Sequence, residues 1–193
     1  MSPEQRREQL LDLGVRLFAT RSLEEISIDL VAAEAGISRG LLYHYFGDKV
    51  AFREAVVRRA AADLVAQTEP PVEGDPLAKL GHSVAAYVDF VDASYEGYLS
   101  LVRGAASDPT LRAVYDEAFG RLGERIFEAG TDLVPDTPAS RLLVRGWQAM
   151  TEEVVLAWKA GETELDRESL LELLVGSLPA LMAAVPVAPP TGP

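Results

Sequence analysis

A short stretch, residues 39–49, gathers side chains that can bind phosphate groups and the edges of nucleic-acid bases. Arg39 can reach a guanine edge or a phosphate, and the Tyr43 hydroxyl can donate to a phosphate. Gly40 removes a side chain where a backbone must come close, and Leu41 offers apolar contact to a thymine methyl. Together these residue types point to contact with DNA.

The same stretch ends in residues whose roles are less specific. His44 is as readily an ordinary surface histidine as a DNA contact. Asp48 suits the N-cap of a further helix, whose first turn would hold Lys49 against the phosphate backbone. Each signal is weak when taken alone, because solvated cations and half-buried tyrosines are common. Their combination within one short stretch favours a DNA-binding surface.

Two short helices joined by a glycine turn would position these residues. Ser27 suits an N-cap, so a helix should start at Ile28. Gly36 ends that helix, because glycine adopts a positive φ at little cost, and Ser38 can cap the next helix. The apolar residues of the first of these helices follow the i, i+3, i+4, i+7 spacing of one buried stripe: Ile28, Val31, Ala32 and Ala35.

The second helix should turn one side inward and leave the other exposed. Leu42 and Phe46 fall on the inner side, toward the helix that starts at Ile28. In that preceding helix, Asp29 places negative charge near the positive N-terminal end. The predicted DNA-binding set contains both capping serines, the outer side of the second helix and the lysine that follows it. Its members are Ser27, Ser38, Arg39, Gly40, Leu41, Tyr43, His44 and Lys49.

The segment AGISRGLLYHYFGDK resembles the DNA-binding signature of the TetR family of one-component bacterial transcription regulators. Its glycine, its small and polar residues, its Tyr-x-x-Phe pair and its lysine occur at the spacing of that signature, and the close resemblance covers about residues 8–58. One departure is Leu41, where many relatives carry a small or hydroxylated residue. The resemblance implies a three-helix helix-turn-helix DNA-binding domain followed by a larger helical ligand-binding and dimerisation domain.

Helical periodicity elsewhere agrees with an all-α chain, because no segment alternates with the period of two that a strand requires. The first helix should cover residues 4–20, and a linking helix should run from Lys49 to about residue 67. Prolines and glycines at residues 70–76 then break the chain. Later helices are predicted at residues 77–93, near 98–104, from 109 to an end at Gly130, at 139–159 and at 165 to about 184.

These elements suggest a division of the chain into two domains. We expect the DNA-binding domain at residues 1–50, with its linking helix to about 67. The ligand-binding and dimerisation domain should cover residues 68–185. The remaining segment, residues 186–193, is rich in proline and should be a disordered tail.

The net charge of −12 is distributed unevenly along the chain. Residues 1–60 hold nine basic and nine acidic side chains, whereas residues 61–193 hold nine basic and twenty-one acidic ones. Charges separated by more than about 8 Å are largely screened at physiological salt, so a neutral domain with its cations on one face can bind phosphates locally. The acidic composition therefore predicts a modest salt dependence rather than excluding DNA.

The last two predicted helices carry wide apolar stripes, and Gly146 and Gly176 would permit close helix contact. Together with the resemblance, this pattern predicts a homodimer in which the last two helices of each chain form a four-helix bundle. Such a dimer would bind a palindromic operator in double-stranded DNA. A monomeric helical core is the alternative.

Aromatic residues spread over the helices of the second domain suggest a pocket for a small-molecule effector of unknown identity. Aromatics at helical spacing are more often plain core, but buried tyrosines and tryptophans need partners for their polar atoms. The candidate pocket residues are Tyr87, Phe90, Tyr98, Tyr115, Trp147 and Met150.

Several classes of protein are disfavoured. With no cysteine and only His44 and His82, the sequence offers no recognisable metal site. It also lacks a nucleophile elbow, a P-loop and a dinucleotide fingerprint, so we expect neither an enzyme nor a cofactor. No apolar run reaches the roughly 18 residues of a membrane span, and the absence of cysteine fits a reducing cytoplasm.

Two interpretations of the chain remain. The first is a cytoplasmic, ligand-responsive, homodimeric DNA-binding regulator, more readily a repressor than an activator. The second is a helical protein-interaction module whose helix-turn-helix is non-functional. The spacing of Arg39, Tyr43 and Lys49 favours the regulator, because an interaction module has no need of that set.

Overall fold

The computed structural model describes residues 2–129 and 134–184, and within them the chain forms nine α-helices and no strand. The prediction of an all-α fold is confirmed. The helices are α1 (Pro3–Thr20), α2 (Ile28–Glu34), α3 (Arg39–Phe46), α4 (Lys49–Gln67), α5 (Pro76–Ala93), α6 (Tyr95–Gly104), α7 (Pro109–Ala129), α8 (Pro138–Lys159) and α9 (Arg167–Met182). The predicted end of a helix at Gly130 and the predicted disordered tail at residues 186–193 lie outside the described residues.

Side-chain caps set the starts of the early helices, as predicted. The hydroxyls of Ser27 and Ser38 accept from the amides of Leu30 and Leu41, at 3.1 and 3.3 Å. Asp48 Oδ1 accepts from the Ala51 amide at 2.8 Å and so starts α4. Between α2 and α3 the chain turns at Gly36, whose φ is +64°. These local bonds satisfy amides that the first turn of a helix leaves without partners.

Two later helix boundaries differ from the prediction. Helix α6 begins at Tyr95 rather than near Tyr98, because its N-cap Ser94 makes no side-chain cap bond that the sequence could announce. Helix α9 begins at Arg167 rather than at residue 165. There Asp166 Oδ1 accepts from the Ser169 amide at 2.8 Å, which makes Asp166 the N-cap.

Contacts divide the chain into two compact units. The first holds the described residues of Met1–Gln67 and Tyr87–Gly120, and the second holds those of Thr68–Ala86 and Arg121–Pro193. Helices α5 and α7 therefore contribute to both units. The functional division near residue 68 remains a prediction, because these units describe packing and not tasks.

In the first unit, α1 packs against α4 and α6. Gly14 on α1 allows close approach of α4, because a Cβ there would overlap the Val56 side chain. Gly97 does the same for α6, since its Cβ would overlap the carbonyl oxygen and the ring of Phe18. At the surface, Arg59 on α4 forms ion pairs with three carboxylates, two of them on α1: Glu8 at 2.9 Å, Asp12 at 3.2 Å and Asp63 at 3.2 Å.

In the second unit, α8 packs against α9 through a tryptophan. The indole Nε1 of Trp147 donates to the Leu174 carbonyl at 3.2 Å and to the Ser177 hydroxyl at 2.9 Å. Near the end of α8, the Trp158 indole donates to the Leu165 carbonyl at 2.9 Å, which holds the connection to α9 in place. These bonds satisfy the polar atoms of both indoles, and the Trp147 bond to Leu174 is buried in the contact between α8 and α9.

Replacing Gly97 by alanine tests the close approach of α6 to α1. The added Cβ has no room against the Phe18 backbone, so Gly97→Ala should lower the free energy of unfolding by about 1–3 kcal/mol, as overpacking does. Urea denaturation followed by circular dichroism measures this. The matched control is Gly120→Ala on α7, where a Cβ meets no atom of another described element within 4 Å. That change should stabilise by about 0.5–1 kcal/mol through helix propensity. Equal stability of Gly97→Ala and wild type would contradict the close packing.

Candidate nucleic-acid interface

Helix α3 has a buried side and an exposed side. Leu42 and Phe46 are buried, and the Phe46 ring meets the Phe52 ring edge to face, with centroids 4.8 Å apart. On the opposite side Tyr43 is 44% exposed, and Arg39 is exposed as well. The predicted inward and outward sides of this helix are therefore confirmed.

The remaining candidates of the predicted DNA-binding set lie around this exposed side. Gly40, His44 and Lys49 are exposed, and Leu41 is half-buried. Ser27 and Ser38 stand at the N-termini of α2 and α3, where they accept from backbone amides and keep a hydroxyl hydrogen for another partner. Helix N-termini favour anions, because their amides and dipoles present positive charge.

One partner of this surface was not foreseen in the sequence analysis. The Asp29 carboxylate on α2 forms an ion pair with Arg39 Nε, at the start of α3. We predicted Asp29 only as a favourable charge at its own helix end. The two residues stand ten positions apart, and only the turn at Gly36 brings them together, so no helical spacing rule could have paired them.

Arg53 is a cation of this region that serves the fold. Its guanidinium, on α4, donates to the carbonyls of Glu24 at 2.7 Å and Ile26 at 3.3 Å. Both carbonyls lie in the connection between α1 and α2. Arg53 therefore holds that connection in place, and its Nε and Nη2 each donate to the protein itself.

Helix α6, which belongs to the predicted ligand-binding domain, also holds this connection in place. Ser100 on α6 accepts from the Leu23 amide at 3.0 Å and donates to the Glu24 carboxylate at 3.0 Å. Within the connection, hydrogen bonds from the amide and then the hydroxyl of Ser22 hold the pKa of Glu25 below its ordinary value. Helix α6 is thus bonded directly to the segment that leads into the helix-turn-helix.

The predicted pocket residues separate into two groups. Phe90, Tyr98 and Tyr115 line one cavity of the first unit, and the hydroxyl of buried Tyr87 lies 2.9 Å from that of Tyr98. Trp147 and Met150 are not among the lining residues. The remaining lining residues are Phe18, Ala60, Ala61, Leu64, Leu101, Ala118 and Phe119.

This cavity is narrow and apolar in character. The cavity volume is about 10 Å³, which is close to the smallest volume that holds one water molecule. None of its lining side chains is charged. A larger molecule would have to push apart the helices that carry these residues, namely α1, α4, α5, α6 and α7.

The described residues contain neither a cluster of metal-binding side chains nor a membrane-spanning helix. Residues 2–129 and 134–184 contain no group of three or more histidine, cysteine, aspartate or glutamate side chains that could hold a metal ion. Among the described helices, none has the length and apolar character to cross a membrane.

Comparison with known proteins agrees with this geometry. The family model described as "Bacterial regulatory proteins, tetR family" matches residues 10–56, which include α2 and α3. A crystal structure of a TetR-family transcriptional regulator from Streptomyces coelicolor superposes with a TM-score of 0.86 at 36% identity. The match covers 95% of this chain and 82% of that one.

Two curated relatives match over most of their length. The HTH-type transcriptional regulator BetI of Burkholderia cenocepacia is 28% identical over 94% of this chain and 96% of that protein. The HTH-type transcriptional activator FasR of Mycolicibacterium smegmatis is 24% identical over 88% of this chain and 79% of that protein. With the exposed side of α3 and the helix-turn-helix that carries it, these matches show that the chain belongs to the TetR family of DNA-binding transcriptional regulators.

Proposed function

We propose that this regulator is a homodimeric, cytoplasmic repressor that binds a palindromic operator and is released by a small-molecule effector. The observation that carries the proposal is the exposed side of α3, where Arg39 and Tyr43 stand opposite the buried Leu42 and Phe46. The relatives are named transcriptional regulators, which does not favour the alternative of an interaction module with a non-functional helix-turn-helix.

Each residue of the DNA-binding set has a proposed role. Arg39 reads a guanine edge, Leu41 contacts a thymine methyl, and Gly40 lets the α3 backbone approach the duplex. Phosphates are held by four further members of the set. These members are the Tyr43 hydroxyl, the Lys49 ammonium and the capping hydroxyls of Ser27 and Ser38, with His44 at the rim.

The proposed dimer interface is an exposed apolar stripe on α8 and α9. Leu142 on α8 is 66% exposed and Leu173 on α9 is 52% exposed, so each of the two helices turns a large apolar side chain outward. Gly146 and Gly176 lie on the same stripes, and a Cβ at either position would meet no atom of another described element within 4 Å. A second copy packed here would complete a four-helix bundle and pair two reading helices on one duplex.

We propose that the effector enters the apolar cavity of the first unit. Its aromatic walls and lack of charged lining favour an uncharged ring-bearing compound, with the hydroxyls of Tyr87 and Tyr98 close by for a polar group. Phe18 of α1 and Tyr98 of α6 both line the cavity. A bound molecule would therefore separate α6 from α1.

Separation of α6 from α1 would also disturb the bonds of Ser100 to Leu23 and Glu24. That change would reposition the segment leading into the helix-turn-helix and lower operator affinity. An effector acts in this way only if it binds the DNA-incompatible state more tightly than the DNA-bound state. Repression would then be occlusion of a promoter. The sign of control is not given by the relatives, since FasR is named an activator.

Selection of binding sites from random duplex DNA tests the reading role of α3. The wild-type protein should enrich a palindromic site, and the Arg39→Ala, Tyr43→Ala double variant should lose that enrichment. Both side chains are exposed, so their removal should cost contacts with DNA and leave the fold intact. A melting curve by circular dichroism is the control for folding. A folded wild type that enriches no site at low salt would contradict the proposed repressor.

A charge on the exposed stripe tests the proposed dimer. Leu142→Glu should convert the dimer to monomer at micromolar concentration, because it would bury a carboxylate in an apolar interface. Light scattering coupled to size exclusion measures the mass. The matched control is Val72→Glu, which adds the same charge at a side chain that is 92% exposed. A Leu142→Glu protein that stays dimeric would place the interface elsewhere.

Filling the cavity tests the effector site. Ala61 lines the cavity, whereas its neighbour Ala62 is exposed on the same helix, so phenylalanine at the two positions forms a matched pair. In a screen of uncharged ring compounds, one that releases the wild type from its operator should fail on Ala61→Phe and still act on Ala62→Phe. Fluorescence anisotropy of a labelled operator follows the release. Equal release of both variants would exclude this cavity.

A further inference from the structure

The ion pair between Asp29 and Arg39 joins the two helices of the helix-turn-helix at their exposed ends. The Asp29 carboxylate contacts Nε of Arg39, which is the first residue of α3. The two side chains are 57% and 68% exposed. Ion pairs this exposed contribute little to folding, so stability is a weak reason for the pair to be there.

The atom that Asp29 engages determines what Arg39 can still do. A guanidinium carries five N–H donors, and the Asp29 carboxylate contacts the one on Nε. Among the described residues, the structure shows no partner for the two terminal amino groups of Arg39. Bidentate recognition of guanine requires two parallel donors directed at O6 and N7, and those amino groups supply them.

We propose that Asp29 is a specificity-determining residue, whose carboxylate positions the Arg39 guanidinium for a guanine edge and disfavours its use on phosphate. An arginine side chain has many rotamers, and holding its Nε reduces the freedom that is lost when the guanine is bound. The negative charge of Asp29 also opposes the approach of a phosphate to Arg39. Non-specific binding is thereby weakened while base recognition is retained.

A pair of variants on α2 separates positioning from simple charge. Asp29→Asn and Glu34→Gln each remove one carboxylate charge from the same helix with little change of shape. Glu34 is the last residue of α2 and is exposed, and no ion pair to Arg39 is seen for it. A general charge effect therefore acts on both variants, and only Asp29→Asn releases Arg39.

The measurement is the ratio of affinities for two duplexes, the operator selected by the wild type and a mixed-sequence duplex of equal length. Asp29→Asn should lower this ratio about tenfold, the scale of one bidentate base contact, and should relax the preference for guanine at one position of each half-site. Glu34→Gln should change the ratio less than about twofold. Circular dichroism melts of both variants show that they remain folded.

An Arg39→Ala background shows whether Asp29 acts through Arg39. Adding Asp29→Asn to Arg39→Ala should cause no further loss of the ratio, because the positioned group is already gone. The proposal is overturned if Asp29→Asn keeps the wild-type ratio and guanine preference. It is equally overturned if Glu34→Gln loses as much, or if the losses at Asp29 and Arg39 add. A wild type that selects no site would overturn the reading role of α3 itself and this proposal with it.

Discussion

Burial of Leu42 and Phe46 is the constraint on which the DNA-binding surface depends. Helix α3 has only eight residues, so fixing these two side chains fixes the rotation of the whole helix. The Phe46 ring is held edge to face by Phe52 of α4, which ties α3 to the longer helix behind it. Arg39 and Tyr43 are exposed as a consequence. The side chains that we propose to contact DNA are thus positioned by an apolar contact on the opposite side of α3.

The sequence predicted the parts of the fold that local chemistry determines. The caps at Ser27, Ser38 and Asp48 and the positive φ of Gly36 depend only on neighbouring residues, so the predicted starts of α2, α3 and α4 and the turn after α2 were correct. The start of α6 was misplaced, because its N-cap Ser94 makes no side-chain bond. The position of α6 against α1 depends instead on tertiary packing, which no local sequence pattern predicts.

The candidate site was predictable as a set of exposed residues but not as a network. Arg39 and Tyr43 follow from helical spacing, whereas the pairing of Arg39 with Asp29 requires the turn between two helices. The cavity shows the same limit. Helical spacing grouped Trp147 with aromatic residues that line the cavity, but Trp147 itself is not among the lining residues. Trp147 instead satisfies its indole nitrogen within the contact of α8 with α9.

Two copies of α3, paired in the proposed dimer, should bind one face of a DNA duplex. Anisotropy titrations test this arrangement. They compare the wild type on its selected palindrome with the wild type on the same duplex after the half-sites are moved apart by about five base pairs, half a turn of DNA. The shifted duplex should bind no better than mixed-sequence DNA, because its half-sites face opposite sides. Equal affinity for both duplexes would contradict a fixed dimeric reader.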